Sequence, residues 1–164
     1  MSIERPWRTA LFSDESTGDP DKDLRVPVDR YYHFYSCRIE YTTASTGSTT
    51  LSGSSGSRQI VLQILDGDSD VVWEARAGAT QGGEGVTRYY HFAPGDADLT
   101  AFRDTDWLSN PIPPSLILPP TFTFRAFDQA VSTAGTSTSV ANDMQMHTVV
   151  GIAPGQAAGP STGQ

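Results

Sequence analysis

Apolar and polar residues alternate along much of this chain, with a period of two rather than the longer period of a helix. In residues 58–65 the alternation sets Ile60, Leu62 and Ile64 against Gln59, Val61 and Gln63. This is typical of a β-strand with one buried face. The same pattern predicts strands at residues 7–12, 23–28, 31–43, 71–77, 85–94, 121–128 and 143–152. Residues 98–108 are the one candidate for a short helix, but their apolar residues form no clean stripe, so a loop with a helical turn is an equal interpretation.

Strict alternation assigns the residues of each predicted strand to two faces. In the longest strand, one face receives Tyr31, His33, Tyr35, Cys37, Ile39 and Tyr41. The other face receives Tyr32, Phe34, Ser36, Arg38 and Glu40. The same rule groups Phe122, Phe124 and Ala126 in one strand, and Met144, Met146, Thr148 and Val150 in the last. Each strand is therefore expected to contribute one face to a core.

Turn signals separate the predicted strands. Asp66-Gly67 opens the polar sequence DGDSD between two of them, and Asp-Gly favours a β-hairpin because both residues tolerate positive φ. About eight short strands with such signals between them predict an all-β fold, a β-sandwich with a jelly roll as the leading topology. A chain of 164 residues is long enough for one such domain.

Segments with little apolar content divide the chain into a body and two ends. We expect residues 1–28 to form an N-terminal arm that can include a first strand, residues 29–152 a β-sandwich domain, and residues 153–164 a flexible C-terminal tail. Residues 42–57 hold fourteen Ser, Thr or Gly in sixteen positions and indicate a long mobile connection. Residues 110–120 contain five prolines and are expected to cross between sheets rather than form a central strand.

Charge narrows the classes of partner. Nineteen acidic residues oppose eleven basic ones, which gives a formal net charge of −8. This balance argues against a general nucleic-acid-binding protein and against binding to an anionic membrane surface. Ten of the bases are Arg, which suits bidentate contacts to carboxylates across interfaces, although a GC-rich genome explains the same bias. No apolar run is long enough to span a bilayer, and we expect no secretory signal at the N-terminus.

Metal ligands form no recognisable motif. Asp66, Asp68 and Asp70 resemble the start of a calcium loop, but the EF-hand positions for Gly and Glu hold Val71 and Ala77. A solvated acidic hairpin tip is the better interpretation, and a weak calcium site of another type stays open. We expect no metal and no cofactor.

The histidines and the cysteine give no clear site either. His33 and His91 lie in identical RYYHF pentapeptides, but five residues are too short to establish a repeat, so two independent strands are the better interpretation. The spacing of the histidines is not that of a cupin metal site. Cys37 is the only cysteine, so an intrachain disulfide and a four-cysteine zinc site are both impossible. Its place among the aromatic residues of a strand predicts burial rather than nucleophilic catalysis.

Catalytic motifs are missing from the sequence, and we expect a protein that is not an enzyme. No GxSxG elbow occurs, although paired carboxylates for glycoside hydrolysis stay open. Trp7, Trp73 and Trp107 are candidates for a sugar-binding platform, but most of these rings are expected to fill the core or an interface.

A wider pattern runs from about residue 31 to residue 152. An Arg-Gln-apolar strand, RQIVLQIL, leads through the polar hairpin, and LPPTFTFRAFD precedes a last strand that opens with Asn-Asp. In this order of elements the chain resembles small all-β structural proteins of tailed bacteriophages. The positions that carry the resemblance are Arg58, Pro119, Pro120, Arg125, Asp128 and Asp143.

The resemblance implies a virion protein, and within that group a capsid decoration (cement) protein on the capsid exterior. Its implied partners are the major capsid protein and copies of itself, as a dimer or trimer, with no nucleic acid and no membrane. Arg5, Trp7 and Arg8 are the candidate partner-binding residues. Two alternatives stay open: a neck, collar or tail-adaptor component of the virion, and a carbohydrate-binding β-sandwich module for adsorption to a host.

Overall fold

The computed structural model describes residues 7–19, 21–43, 58–77, 87–94, 107–130 and 143–155. These residues form strands and turns, and no helix occurs among them, so none crosses a membrane as a helix. The strands are β1 (Arg8–Asp14), β2 (Asp21–Arg25), β3 (Arg30–Thr42), β4 (Arg58–Leu65), β5 (Val71–Arg76), β6 (Thr87–Pro94), β7 (Trp107–Ile112), β8 (Ile117–Leu118), β9 (Thr123–Ala130) and β10 (Asp143–Pro154).

Two sheets pack face to face. The first sheet has the order β1-β10-β3-β6-β7, with β8 beside β3, and the second has the order β2-β9-β4-β5. Four antiparallel pairs are nested along the chain: β1 with β10, β2 with β9, β3 with β6, and β4 with β5. One long antiparallel ribbon is thus wound over itself, which is the jelly-roll arrangement. The prediction of an all-β sandwich is confirmed.

Two strands were not predicted. β7 pairs in parallel with β6 at the edge of the first sheet, and β8 pairs with Tyr32 and His33. The edge position explains why β7 tolerates Pro111, since the outer side of an edge strand needs no ladder hydrogen bond. The proposed helical turn at residues 98–108 lies outside the described residues except for Trp107 and Leu108, which begin β7 instead. The crossing between sheets follows β8, at residues 119–122.

The core fills the space between the sheets. Phe34 of β3 and Phe124 of β9 are fully buried and join the two sheets, with ring centroids 4.6 Å apart. The predicted inward faces of three strands are confirmed as buried, and they comprise Ile60, Leu62, Ile64, Phe124, Ala126, Met144, Met146, Thr148 and Val150. Strict alternation therefore holds in β9 and β10, whereas Val61, on the opposite face of β4, is fully buried as well.

The predicted faces of β3 are wrong in part, and a β-bulge is the reason. On β10, Val149 pairs with Ser36 and the next residue, Val150, pairs with Phe34, so Tyr35 has no residue opposite it. An extra residue reverses the alternation of side chains beyond it. Tyr32 and Phe34 are consequently buried on the same side as Cys37, Ile39 and Tyr41, whereas strict alternation placed them on opposite faces.

The predicted hairpin between β4 and β5 is confirmed, with a different backbone detail. The positive φ falls at Ser69, 71°, and not at Gly67. A Cβ on Gly67 would lie 2.8 Å from the hydroxyl oxygen of Thr121, so a side chain there would require this hydroxyl to move. A second bulge, at Val72, leaves both Val71 and Val72 exposed.

Both ends of the predicted body extend into strands. β1 and β2 lie in the range 1–28 for which an arm is predicted, and each pairs along its whole length with a strand of the sandwich. At the other end, β10 continues to Pro154, and the N–H of Gly155 donates to the carbonyl oxygen of Asp29 at 2.5 Å. Residues 1–6, 44–57 and 156–164 lie outside the described residues, so the expectations of an arm tip, a mobile loop and a flexible tail stay predictions there.

The contact between Phe34 and Phe124 generates a test of the core. Phe124→Ala removes a fully buried ring that joins the sheets, and we expect it to lower the free energy of unfolding by about 3–5 kcal/mol. Urea denaturation of the variant and the parent measures the difference. Val28→Ala, at a residue that is 78% exposed, is the control and should change stability by less than about 0.5 kcal/mol. Equal effects of the two substitutions would contradict the assignment of the core.

Candidate binding surface

Three aromatic side chains meet on the outer face of the first sheet. Trp7 precedes β1, and its ring lies edge-on to the imidazole of His33, with centroids 5.6 Å apart. His33 in turn lies 4.8 Å from the ring of Tyr35. We call Trp7, His33 and Tyr35 the aromatic cluster. It crosses three adjacent strands of the sheet, since β10 lies between β1 and β3.

The bulge in β3 and a glycine in β10 create the aromatic cluster together. Tyr35 is the extra residue of the bulge, so its side chain is not set by the pairing with β10. Its ring lies across Gly151, where a Cβ would come within 2.6 Å of the tyrosine hydroxyl oxygen and 3.0 Å of Cζ. A side chain at position 151 would displace the ring. Gly151 therefore acts as the floor of the cluster.

Exposed apolar residues surround the cluster on the same face. Ile117 of β8 pairs with His33 and is 46% exposed, and Leu11 of β1 is 65% exposed. Trp7 itself is 39% exposed, and Tyr31 is exposed to a similar degree. We call this set, Trp7, Leu11, Tyr31, His33, Tyr35 and Ile117, the apolar face. Contiguous exposed apolar residues of this kind mark binding surfaces more often than isolated ones do.

The outer face of the second sheet carries polar groups that pair with one another. The guanidinium of Arg125 donates to both carboxylate oxygens of Asp21, through Nε at 2.8 Å and through a second nitrogen. Gln63 and Arg76 each donate to Glu74 at 2.7 Å, and these bonds lower the pKa of the Glu74 carboxyl. Such polar groups already satisfy one another, so this face has less to gain from a partner.

The only lysine is buried inside a cage of oxygen atoms between the first two strands. Lys22 has no exposed surface, and its ammonium donates to the Ser16 carbonyl at 2.7 Å, to the Ser16 hydroxyl at 2.5 Å and to Asp14 at 3.2 Å. Asp19 lies 3.9 Å away. A buried ammonium needs such partners, because desolvation of an unpaired charge is costly. The cage is structural and ties the β1–β2 connection to β2.

One arrangement resembles a Ser-His-acid set but has the wrong geometry. The hydroxyl of Ser13 hydrogen-bonds to Nδ1 of His147 at 3.0 Å, and Glu15 lies 3.8 Å from the same nitrogen. A catalytic triad places the nucleophile and the acid on opposite ring nitrogens, so that a proton can pass through the imidazole. Here both groups compete for one nitrogen. The cluster instead fastens the end of β1 to β10.

The candidate metal ligands do not converge within the described residues, where no group of three His, Cys, Asp or Glu is placed to hold an ion. In the hairpin, a carboxylate oxygen of Asp66 accepts the backbone N–H groups of Asp68 and Asp70, both at 2.9 Å. That carboxylate shapes the turn, as expected for an acidic hairpin tip. The registers of β3 with β10 and with β6 set His147 and His91 on either side of Arg38.

Cys37 is buried, as predicted. Burial raises the pKa of its thiol to about 12, and the Thr148 hydroxyl donates to the sulfur at 3.8 Å. A thiol with such a pKa is not a nucleophile at neutral pH. The two RYYHF strands, β3 and β6, are neighbours, but the pentapeptides do not face each other, because His91 pairs with Arg38.

The structure separates the predicted partner-binding residues. Trp7 is part of the aromatic cluster, and Arg8, the first residue of β1, is exposed beside it. Arg5 lies outside the described residues. Trp73 packs against the core rather than joining a platform of three tryptophans. The sequence gives no signal for Gly151, whose role depends on contact with Tyr35, a residue far away in the sequence.

The comparisons with known proteins give distant similarities. No protein-family profile and no curated protein matches the chain. A solved chain of Desmodium yellow mottle tymovirus aligns at 13% identity over 99% of this chain and 95% of that chain, with a TM-score of 0.33. Two solved chains of infectious bursal disease virus, from the Gx strain and from a T13 particle, align at 8% and 10% identity over 92% and 94% of this chain, with TM-scores of 0.35 and 0.37.

This chain spans 33% and 37% of the two bursal disease virus chains, about a third of each. At TM-scores this low the alignments carry no argument about function. The assignment of a jelly roll therefore rests on the strand order and the nested antiparallel pairs.

The lysine cage predicts a loss of stability in acid. A hydrogen bond from the Ser16 hydroxyl, with further bonds from the Ser16 N–H and Lys22, lowers the pKa of Asp14 despite partial burial. A carboxyl whose pKa is lower in the folded state contributes stability above its unfolded value of about 4, and this contribution is lost as the pH falls through the folded value. Asp14→Asn should therefore be less stable than the parent at pH 7, and the difference should shrink below about pH 4.

Denaturation of both proteins across this pH range measures the effect. Asp68→Asn, at the exposed hairpin tip, is the matched control and should leave the stability at pH 7 nearly unchanged. A difference between Asp14→Asn and the parent that stays constant into acid would show that the carboxylate is not the source of the stability.

Proposed function

We propose that this protein is a non-enzymatic structural protein of a virion, and more specifically a capsid decoration (cement) protein that binds the outer lattice of a bacteriophage capsid. The observation that carries the proposal is the apolar face of the first sheet, with the aromatic cluster near its centre. The jelly roll alone leaves several classes open, since viral capsid proteins, lectins and cupins all use it. The choice among them rests on surface chemistry and on the sequence resemblance.

In a decoration protein, one outer face would contact the capsid and the other would face solvent. The apolar face supplies aromatic rings whose burial against a partner is favourable, and large aromatic residues often dominate binding energy at interfaces. Arg8 is exposed at the start of β1, where a guanidinium can pair with a carboxylate of the partner. The opposite face, with the ion pairs of Arg125 and Glu74, is suited to remain in water.

The net charge of −8 fits a location on the capsid exterior. An acidic protein is repelled by packaged DNA and stays dispersed before assembly, so its attachment has to use apolar contacts and local arginines rather than general electrostatic attraction. The major capsid protein is the partner that this proposal names.

The first experiment is the copy number of this chain in purified virions, measured by mass spectrometry against the major capsid protein. A ratio close to that of the capsid subunits supports a decoration protein. A ratio of a few copies per hundred subunits would instead favour a neck, collar or tail-adaptor ring. Absence from the virion would refute the whole proposal.

The apolar face predicts which residues attach the protein. Trp7→Ala should reduce occupancy on capsids that lack the protein by about tenfold or more, because truncation of a central aromatic anchor typically costs at least one such factor. Binding is measured by co-sedimentation of purified protein with those capsids. Val72→Ala, at an exposed residue of the second sheet, is the matched control and should bind like the parent. Equal occupancy of both variants would show that the apolar face is not the capsid contact.

A second candidate function is carbohydrate binding, which the exposure of Trp7 beside His33 favours. An aromatic ring that is open on one side can stack on the apolar face of a pyranose ring, because the ring offers a flat apolar surface with a polar edge. A module of this kind would serve adsorption to a host. It makes the same tryptophan essential, so the two functions differ in the ligand and not in the surface.

Glycan binding is tested directly. If the module binds sugars, titration with oligosaccharides of host cell walls quenches or shifts the fluorescence of Trp7, and Trp7→Phe, which keeps a ring, retains more affinity than Trp7→Ala. Trp73→Phe, at a residue packed against the core, is the control for the fluorescence signal. A titration with no change in signal, together with normal capsid binding, would exclude the second candidate.

A further inference from the structure

The outer edge of β1 differs from the other sheet edges that the structure describes. β2 is short and charged at four of its five positions, β5 carries the bulge at Val72, and β7 contains Pro111. Charges, bulges and prolines are the devices that prevent one sheet from pairing with another. β1 has seven residues, RTALFSD, with no proline and no bulge in its pairing with β10.

The backbone of β1 has unused capacity for pairing. All seven residues pair with β10 on one side, and no described strand lies on the other side. In an antiparallel strand alternate residues direct their N–H and C=O groups to opposite sides, so a row of these groups faces outward. Such a row is a template for a further strand.

We propose that β1 pairs antiparallel with β1 of a second copy of this chain, across a two-fold axis at Leu11. The sequence of β1 is complementary to itself in this register. The opposed pairs are Arg8 with the partner's Asp14, Thr9 with the partner's Ser13, Ala10 with the partner's Phe12, and Leu11 with the partner's Leu11. The register thus pairs a positive charge with a negative one, a hydroxyl with a hydroxyl, and apolar side chains with apolar side chains. Such cross-strand pairs stabilise sheets.

The register also preserves the two faces. Every pair joins an even-numbered residue to an even-numbered one or an odd to an odd, so inward side chains of one copy meet inward side chains of the other. Leu11 of both copies stays on the apolar face, and Phe12, which stacks on Tyr32 with centroids 5.4 Å apart, stays on the inner side. The pairing therefore extends the first sheet without moving any core residue.

Charge near the inner side of β1 favours an incoming arginine. A cavity of about 320 Å³ opens between β1 and β2, with Asp14, Glu15 and Asp23 among its lining residues. Burial and the repulsion of Asp21 raise the pKa of Asp23, although Arg125 Nε lies 3.9 Å from its carboxylate. In the proposed register the partner's Arg8 stands opposite Asp14, on the rim of this cavity, and no ion pair of Arg8 with a described residue opposes the contact.

The dimer would place two apolar faces side by side on one continuous sheet. A bivalent surface of this kind binds a repetitive partner more tightly than one copy does, because the second contact forms at a high effective concentration. This inference goes beyond the proposed function and does not depend on it, since the pairing of β1 is the same whatever the apolar face binds.

Sedimentation velocity over a range of protein concentrations tests the dimer. The parent should show a concentration-dependent dimer, and Leu11→Lys should weaken it by about tenfold or more, because two ammonium groups would meet at the axis and the leucine contact would be lost. Val72→Lys is the matched control, since Val72 is a similarly exposed apolar residue on the edge strand β5. A monomer at every concentration, or a dimer that Leu11→Lys leaves intact, would overturn the proposal.

A disulfide trap tests the register even if the dimer is weak. Antiparallel partners lie about 4.5–5.5 Å apart at Cα, which is within the range that a disulfide spans. Under oxidised glutathione, which accepts the two electrons, Leu11→Cys should form a linked dimer on a non-reducing gel. Thr9→Cys should not, because the residue opposite Thr9 is Ser13. Cys37 is buried and stays out of the reaction. Equal crosslinking of both variants, or none of either, would contradict the register.

Discussion

The extra residue in β3 is the constraint on which both the core and the candidate binding surface depend. β3 is the central strand of the first sheet and contacts β10 along almost its whole length. Without the bulge at Tyr35, strict alternation would bury the inward residues on one side of Tyr35 and turn the corresponding residues on its other side toward water. The bulge brings Tyr32, Phe34, Cys37 and Ile39 to the same side. The aromatic cluster on the outer face follows from this requirement of the core, because the unpaired residue of the bulge is a tyrosine.

Gly151 completes that constraint from the neighbouring strand. A bulged tyrosine has to lie somewhere, and here its ring lies over the one position of β10 that lacks a side chain. His33 and Trp7 then pack beside it. The backbone of β10 thus sets where the tyrosine ring lies, and a preformed aromatic surface loses less conformational entropy when it binds. The opposite sheet shows the contrast, since its charged side chains are held by one another and not by the backbone.

Sequence patterns predicted those parts of the fold where each residue faces a neighbour in regular order. The bounds of β4 were predicted correctly, and the buried faces of β9 and β10 followed from alternation alone. The bulge could not be predicted, because residues 31–34 are aromatic on both faces of β3 and either register satisfies the pattern there. The parallel strand β7 was missed because Pro111, with two more prolines directly after the strand, argues against a central strand and says little about an edge.

Of the candidate site, the sequence indicated Trp7 and grouped Tyr31, His33 and Tyr35 on one face, which the structure confirms for that end of the strand. It gave no signal for Gly151 or for the burial of Lys22. Both depend on contacts between segments far apart in the chain. Lys22 illustrates the point. The sequence DKDLR alone predicts an exposed charged strand, but in the fold the carbonyl of Ser16 and the carboxylate of Asp14 enclose the ammonium.

The sheet edges show how local chemistry limits association. Three of the four described edges carry a device that discourages pairing, and two of these devices have a cost. The charges of β2 require the lysine cage and the ion pair of Arg125, and the bulge of β5 exposes two valines. A single lysine at position 11 would protect β1 as well, on a side chain that is already exposed and contributes little to the core. The edge that is simplest to protect is therefore the one left open. Because β1 also borders the apolar face, any strand that pairs with it extends the same surface on which the aromatic cluster lies.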